Sequence, residues 1–147
     1  MTFLSQKTQP KIVERSASTL PQTAQTAYFT VTGRVLITQI VGEVITAAIG
    51  AVETLAELIS NPTVGADVNI CAQLDLNADA IGTLYTISGT LADALIATTS
   101  GAVAAQSAPI LVSAGSIDLK TSSSTTGQTK WTVHYIPLDS DSSVVAA

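Results

Sequence analysis

Titratable side chains are scarce in this chain. Of 147 residues one is His (His134), one is Cys (Cys71), and only 12% are charged. Acid–base and nucleophilic catalysis need such groups gathered at one place, so the composition argues against an enzyme and implies no cofactor. A single Cys cannot form an internal disulfide, and nothing here points to an oxidising compartment. Within Val68-Asn69-Ile70-Cys71-Ala72 it reads as a small buried hydrophobe. Basic residues number six against eleven acidic ones, for a net charge of −5. They are scattered, which disfavours nucleic acid as a partner, because displacing counterions takes clustered Lys and Arg. No apolar run reaches the ~18 residues of a membrane helix. Residues 1–15 lack the apolar core and cleavage site of a signal peptide. The expectation is a soluble protein made in a cytoplasm, with no membrane partner.

What is present is apolar and β-branched. The length suits one domain, and the hydrophobic fraction of 46% supplies a core, much of it Ala. Residues 1–26 are rich in Gln, Thr, Ser and Lys, carry Pro10 and Pro21, and hold their apolar residues as isolated pairs such as Phe3-Leu4 and Ile12-Val13. They read as an extended N-terminal arm ahead of a body at 27–147. The body alternates strand-like runs with turns: Tyr28–Thr32, Arg34–Thr46, Val68–Leu76, Thr83–Ser88, Ile110–Val112, Ser116–Thr121 and Lys130–Leu138. Gly42-Glu43 suggests a bulge or bend in the second run. Val68, Ile70, Ala72, Leu74 and Leu76 alternate with polar residues and Cys71, the pattern of a half-buried strand. Spacing near ten residues, with turn signals between runs, predicts an all-β single β-sandwich or jelly-roll-like domain. Residues 47–60 fit a helix by spacing and a strand by the turn at Asn61-Pro62-Thr63-Val64-Gly65; the pattern alone allows both. Residues 91–105 read as loop with room for one short strand.

Three constellations carry some chemical character. Asp75-Leu76-Asn77-Ala78-Asp79 opens like a calcium loop. The sharp-turn glycine is then replaced by Ala80 and the closing carboxylate by Thr86, so a turn capped by Asp and Asn side chains explains the same residues. His134 lies in Trp131–Pro137, where period-2 alternation sets Trp131, Val133 and Tyr135 on one face and Thr132, His134 and Ile136 on the other. With no ligand or base partner nearby in sequence, it reads as structural. No serine occupies a nucleophile elbow, and no phosphate loop or zinc pair occurs. The Thr- and Ser-rich strands predict an outer face that is polar without being heavily charged, suited to packing against other subunits.

Three passages resemble small virion structural proteins of tailed bacteriophages. They are Val13–Thr23 leading into Phe29–Gly33, then Leu74–Asp79 with Gly82–Tyr85, and Lys130–Asp139. The resemblance spans residues 13–147 and carries no catalytic motif. It implies a decoration or cement protein on the capsid surface of the virion, assembled in the host cytoplasm. The implied partner is the major capsid protein, bound across its subunits by a homotrimer with β-rich bodies and N-terminal arms. Isolated apolar residues in the otherwise polar arm make Ile12, Val13 and Leu20 the candidate capsid or subunit contacts. Two other readings stand beside this one: a tail or fibre-base component, and a carbohydrate-binding β-sandwich on the virion surface. The latter would need Trp131 or Tyr85 as its aromatic platform.

Overall fold

The computed structural model describes residues 9–50 and 53–147. Phe3-Leu4 and Lys7 of the expected arm, and Val52 of the ambiguous segment, lie outside them. The chain is all-β, two antiparallel sheets packed against each other, as expected from its pattern. No helix occurs among the described residues, hence none long and apolar enough to cross a membrane.

Twelve strands run in order: β1 (Lys11–Thr19), β2 (Gln25–Thr32), β3 (Val35–Thr46), β4 (Leu55–Pro62), β5 (Val68–Asn69), β6 (Leu74–Asp75), β7 (Leu84–Thr86), β8 (Ile96–Thr98), β9 (Ile110–Val112), β10 (Gly115–Thr121), β11 (Gln128–Pro137) and β12 (Ser143–Ala146). Sheet A has the order β1-β11-β3-β7-β8, with β9 also on β3; sheet B has β12-β2-β10-β4-β5, with β6 also on β4. The chain therefore changes sheet between β1 and β2, β2 and β3, and β3 and β4. The late strands β11 and β10 then fill the places between the early ones. Neither sheet is complete until the last third of the chain arrives.

The core lies between the sheets. Along β11 every second residue is buried, with Trp131, Val133 and Tyr135 inward, as the alternation predicts. On β3 the inward set begins at odd positions, Val35 and Ile37, and continues at even ones, Ile40, Gly42 and Val44. An extra residue makes the change possible. Pairing with β11 skips Thr38, whose hydroxyl donates to the His134 carbonyl at 3.2 Å, and skips again at Ile45. A bulge keeps a bent strand's apolar side inward where a strict period of two would turn it out. The irregularities thus flank Gly42-Glu43, where the bend was expected. Gly42 has another cause: it pairs with Trp131, whose ring crosses it, and an added Cβ would sit 2.8 Å from the ring atoms. Lying over the glycine, Trp131 stacks with Tyr85 on the far side (centroids 6.1 Å, 18°).

Two expectations change in detail. The segment 47–60 resolves toward strand, with β4 taking its second half. Val68–Leu76 breaks into β5 and β6, both on β4, and between them Ile70 and Cys71 are both buried. Strict alternation fails there because the chain turns inward between two short pairings.

Candidate functional site

The expected arm is the first place to look, and it is strand over residues 11–19. β1 pairs with β11 from Lys11↔Tyr135 to Thr19↔Gln128, with a bulge between Arg15 and Ser18. Its inward residues are Val13, packed on the core, and Arg15, whose guanidinium lies 4.0 Å from the Tyr28 ring centre on β2 and bonds Ser18. That cation–π contact joins the edge of sheet A to sheet B. The candidate contacts separate accordingly. Ile12 is 66% exposed on the outer side of sheet A, and Val13 is half-buried. Leu20 is buried in the protein's own core, its amide donating to the Gly127 carbonyl at 2.9 Å, so it offers no surface to another subunit. The body therefore begins by residue 11 rather than 27.

Asp75, Asp79 and Cys71 have local partners. Asp75 Oδ1 accepts from the amides of Thr54 (2.8 Å) and Asn77 (2.9 Å), a side-chain turn cap. Asp79 accepts from the Tyr85 hydroxyl at 2.5 Å. Burial, and then this carboxylate, push the Tyr85 phenol far above its ordinary range. The two Asp side chains of the expected calcium-like opening thus serve different strands. Cys71 is buried and accepts from the Leu58 amide at 3.3 Å; burial pushes its thiol up to about 11, leaving it protonated and unreactive at neutral pH. His134 is half-buried on the outer side of sheet A, level with Ile12 and Gln39. Trp131 and Tyr85, the platform a sugar site would need, are buried at 1% and 0% exposure.

What remains is surface, and the two outer faces differ. Sheet B is sealed by a carboxylate network. The buried Asp118 accepts from Gln25 (2.8 Å), Asn61 (3.1 Å) and Ser116 (2.5 Å). Beside it Glu57 accepts from Asn69 at 2.7 Å and lies 3.8 Å from Lys120. Beneath this layer Ile59 is buried outside the main core.

Among the described residues the outer face of sheet A has no such layer at one end. Direct pairing sets Ile136 beside Leu36 and Leu36 beside Leu111, an aliphatic row across β11, β3 and β9. Opposed side chains on neighbouring strands lie ~5 Å apart, so the row is continuous. Leu111 is 61% exposed at one flank, and Ile12 stands diagonally from Ile136 at the other. Next to the row the Arg34–Asp139 pair closes on itself: the guanidinium meets the carboxylate at 2.7 Å and holds its pKa down at about 2. Towards the middle of the face, Gln106 fills the gap between β7 and β9. Its amide donates to Gln39 Oε1 (2.6 Å) and its side chain to the carbonyls of Ile37 (3.2 Å) and Ala108 (2.8 Å). Sequence reasoning named Ile12 on this face but missed the row. Leu36 and Ile136 read as ordinary strand residues until register shows that they are neighbours of Leu111. Comparison with family models, with curated proteins and with solved structures returns no match.

Proposed function

We propose that this chain is a structural protein of a tailed-bacteriophage virion, decorating and stabilising the capsid by binding across major capsid subunits in trimeric clusters. The observation that carries the reading is the aliphatic row Ile136–Leu36–Leu111 on the outer face of sheet A. Leu111 is exposed and Leu36 and Ile136 beside it are half-buried, and apolar surface left open to water in one place is the mark of a contact between proteins. Asp75, Asp79 and Cys71, considered as ligating or nucleophilic groups, support it from the other side, because their bonds run to strands and turns of the chain itself. The mechanism is mechanical: modest contacts, multiplied by simultaneous engagement of several copies, give high avidity. Virion origin rests on the resemblance of residues 13–147.

Co-sedimentation with assembled capsid shells and with free major capsid protein tests the reading. Saturable binding to shells, at a fixed number of copies per particle, is the expected result; absence of binding overturns it. A deletion reaching residue 25 would remove β1 and part of β2, so the arm is tested by removing residues 1–8 alone. If the arm contributes, the shortened chain keeps the melting temperature of the full chain and loses affinity for shells.

A further inference from the structure

We infer that copies of this chain meet one another through the outer face of sheet A, on the row Ile136–Leu36–Leu111 with Ile12 at its flank. The inference deepens the proposed function, which calls for clustered copies without saying which surface joins them. Charge placement selects the occupant. On the outward side of β1, β3 and β11 with their flanks stand Arg34 and Lys130 against Glu14, Glu43 and Asp139, one negative charge in excess, while Lys11 and Arg15 lie on the inward side of β1. The eight other carboxylates of the chain face only Lys120 and Lys7 elsewhere in the sequence. Two copies approaching by sheet B or by the acidic loops therefore meet like charge, whereas this face brings almost none.

Two of the outward cations of this face are already paired among the described residues. Arg34 is closed on Asp139, and at the far end of the face Lys130 lies 3.5 Å from Glu43. A self-contact over Leu111 leaves both pairs intact, and Glu14 beside Ile12 is the outward charge of the described face that has no ion pair. The flanking strand decides how the copies approach. β1 presents Lys11 and Glu14 along its edge, the device by which sheets resist edge-to-edge extension. Copies therefore pack by face, with aliphatic side chains interdigitating as between stacked sheets.

Sedimentation velocity of the full chain over a wide concentration range tests this. Wild type should show a mass that is a multiple of 15.0 kDa and falls on dilution. Leu111→Asp should weaken association roughly hundredfold, since a carboxylate in an apolar contact must be desolvated. Ile12→Asp, on the edge strand, should act in the same direction. Val64→Asp should change nothing, because Val64 is 88% exposed in the turn after β4, away from sheet A. A wild type that stays at the single-chain mass at every concentration overturns the inference. So does an oligomer indifferent to both Leu111→Asp and Ile12→Asp, or one equally disturbed by Val64→Asp. Because these positions are exposed, melting temperatures should stay near wild type; should one variant unfold, the other still decides. Shell co-sedimentation separates the two proposals: self-association without shell binding sinks the function alone, and a single chain that binds shells sinks only this inference.

Discussion

The two outer faces of the sandwich are built from similar strands and finished in opposite ways. On sheet B, strand β4 is buried on both sides, because Asp118 and Glu57 gather amides and a hydroxyl into a layer over Ile59. On sheet A, the row Ile136–Leu36–Leu111 faces outward with nothing of the described chain above it at its Leu111 end. A buried carboxylate with three donors holds the fold; an aliphatic row open to water at Leu111 and half-buried at Leu36 and Ile136 does not need to. The difference separates a face committed to stability from one free for contact.

Mutations can break that contrast. The largest effect is expected at sheet B: Asp118→Ala takes the acceptor from Asn61 and Ser116 and leaves Gln25 only Asp67, and should cost about 2–4 kcal/mol in denaturant unfolding. A loss under ~1 kcal/mol would mean that the network is ornamental. Next comes a place where sheet A's outer side is closed. Thr86 is buried, donates to the Ile40 carbonyl at 2.6 Å and accepts from Gln39 at 2.8 Å. Thr86→Val should therefore cost about 1–2 kcal/mol by the same measurement. By contrast Leu111→Asp should leave folding stability within ~0.5 kcal/mol of wild type at concentrations where the chain is monomeric. A large loss there would show that the row serves the fold after all.

The smallest effect concerns the rim. Arg34 lowers the Asp139 carboxyl from 3.8 to about 2, first through its side-chain hydrogen bonds. A depressed carboxyl pKa stabilises the fold fully above the unfolded value near 3.8, and that contribution is lost as pH falls toward 2. Arg34→Ala should return the Asp139 titration, followed by carboxyl-carbon NMR, toward its ordinary position. The pair is open to water, so global stability at neutral pH should scarcely move.

Much of the fold was legible because its signals are local. The alternation of Trp131, Val133 and Tyr135, the turn at 61–65 and the runs at 28–32, 34–46, 110–112 and 116–121 are properties of neighbouring residues, and the sheets follow them. β1 escaped because its inward position 15 is Arg, buried by lying on the Tyr28 ring; hydrophobic alternation records that residue as polar. Leu20 misled for the reverse reason: an apolar residue among polar ones looks available until Thr125–Gly127, a hundred positions on, closes over its backbone. The aliphatic row was invisible for the same cause, since it exists only once β9, β3 and β11 are in register.

The Trp131–Gly42 crossing also equips the molecule with an optical probe. Trp131 is the single tryptophan, buried and stacked with Tyr85 inside sheet A, while sheet B has none. Its emission should be blue-shifted in the folded chain and should move to the red when sheet A opens. Far-ultraviolet dichroism follows both sheets together. Coincidence of the two signals through unfolding would show that the interleaved strands come apart in one cooperative event, and a lag would show which sheet yields first.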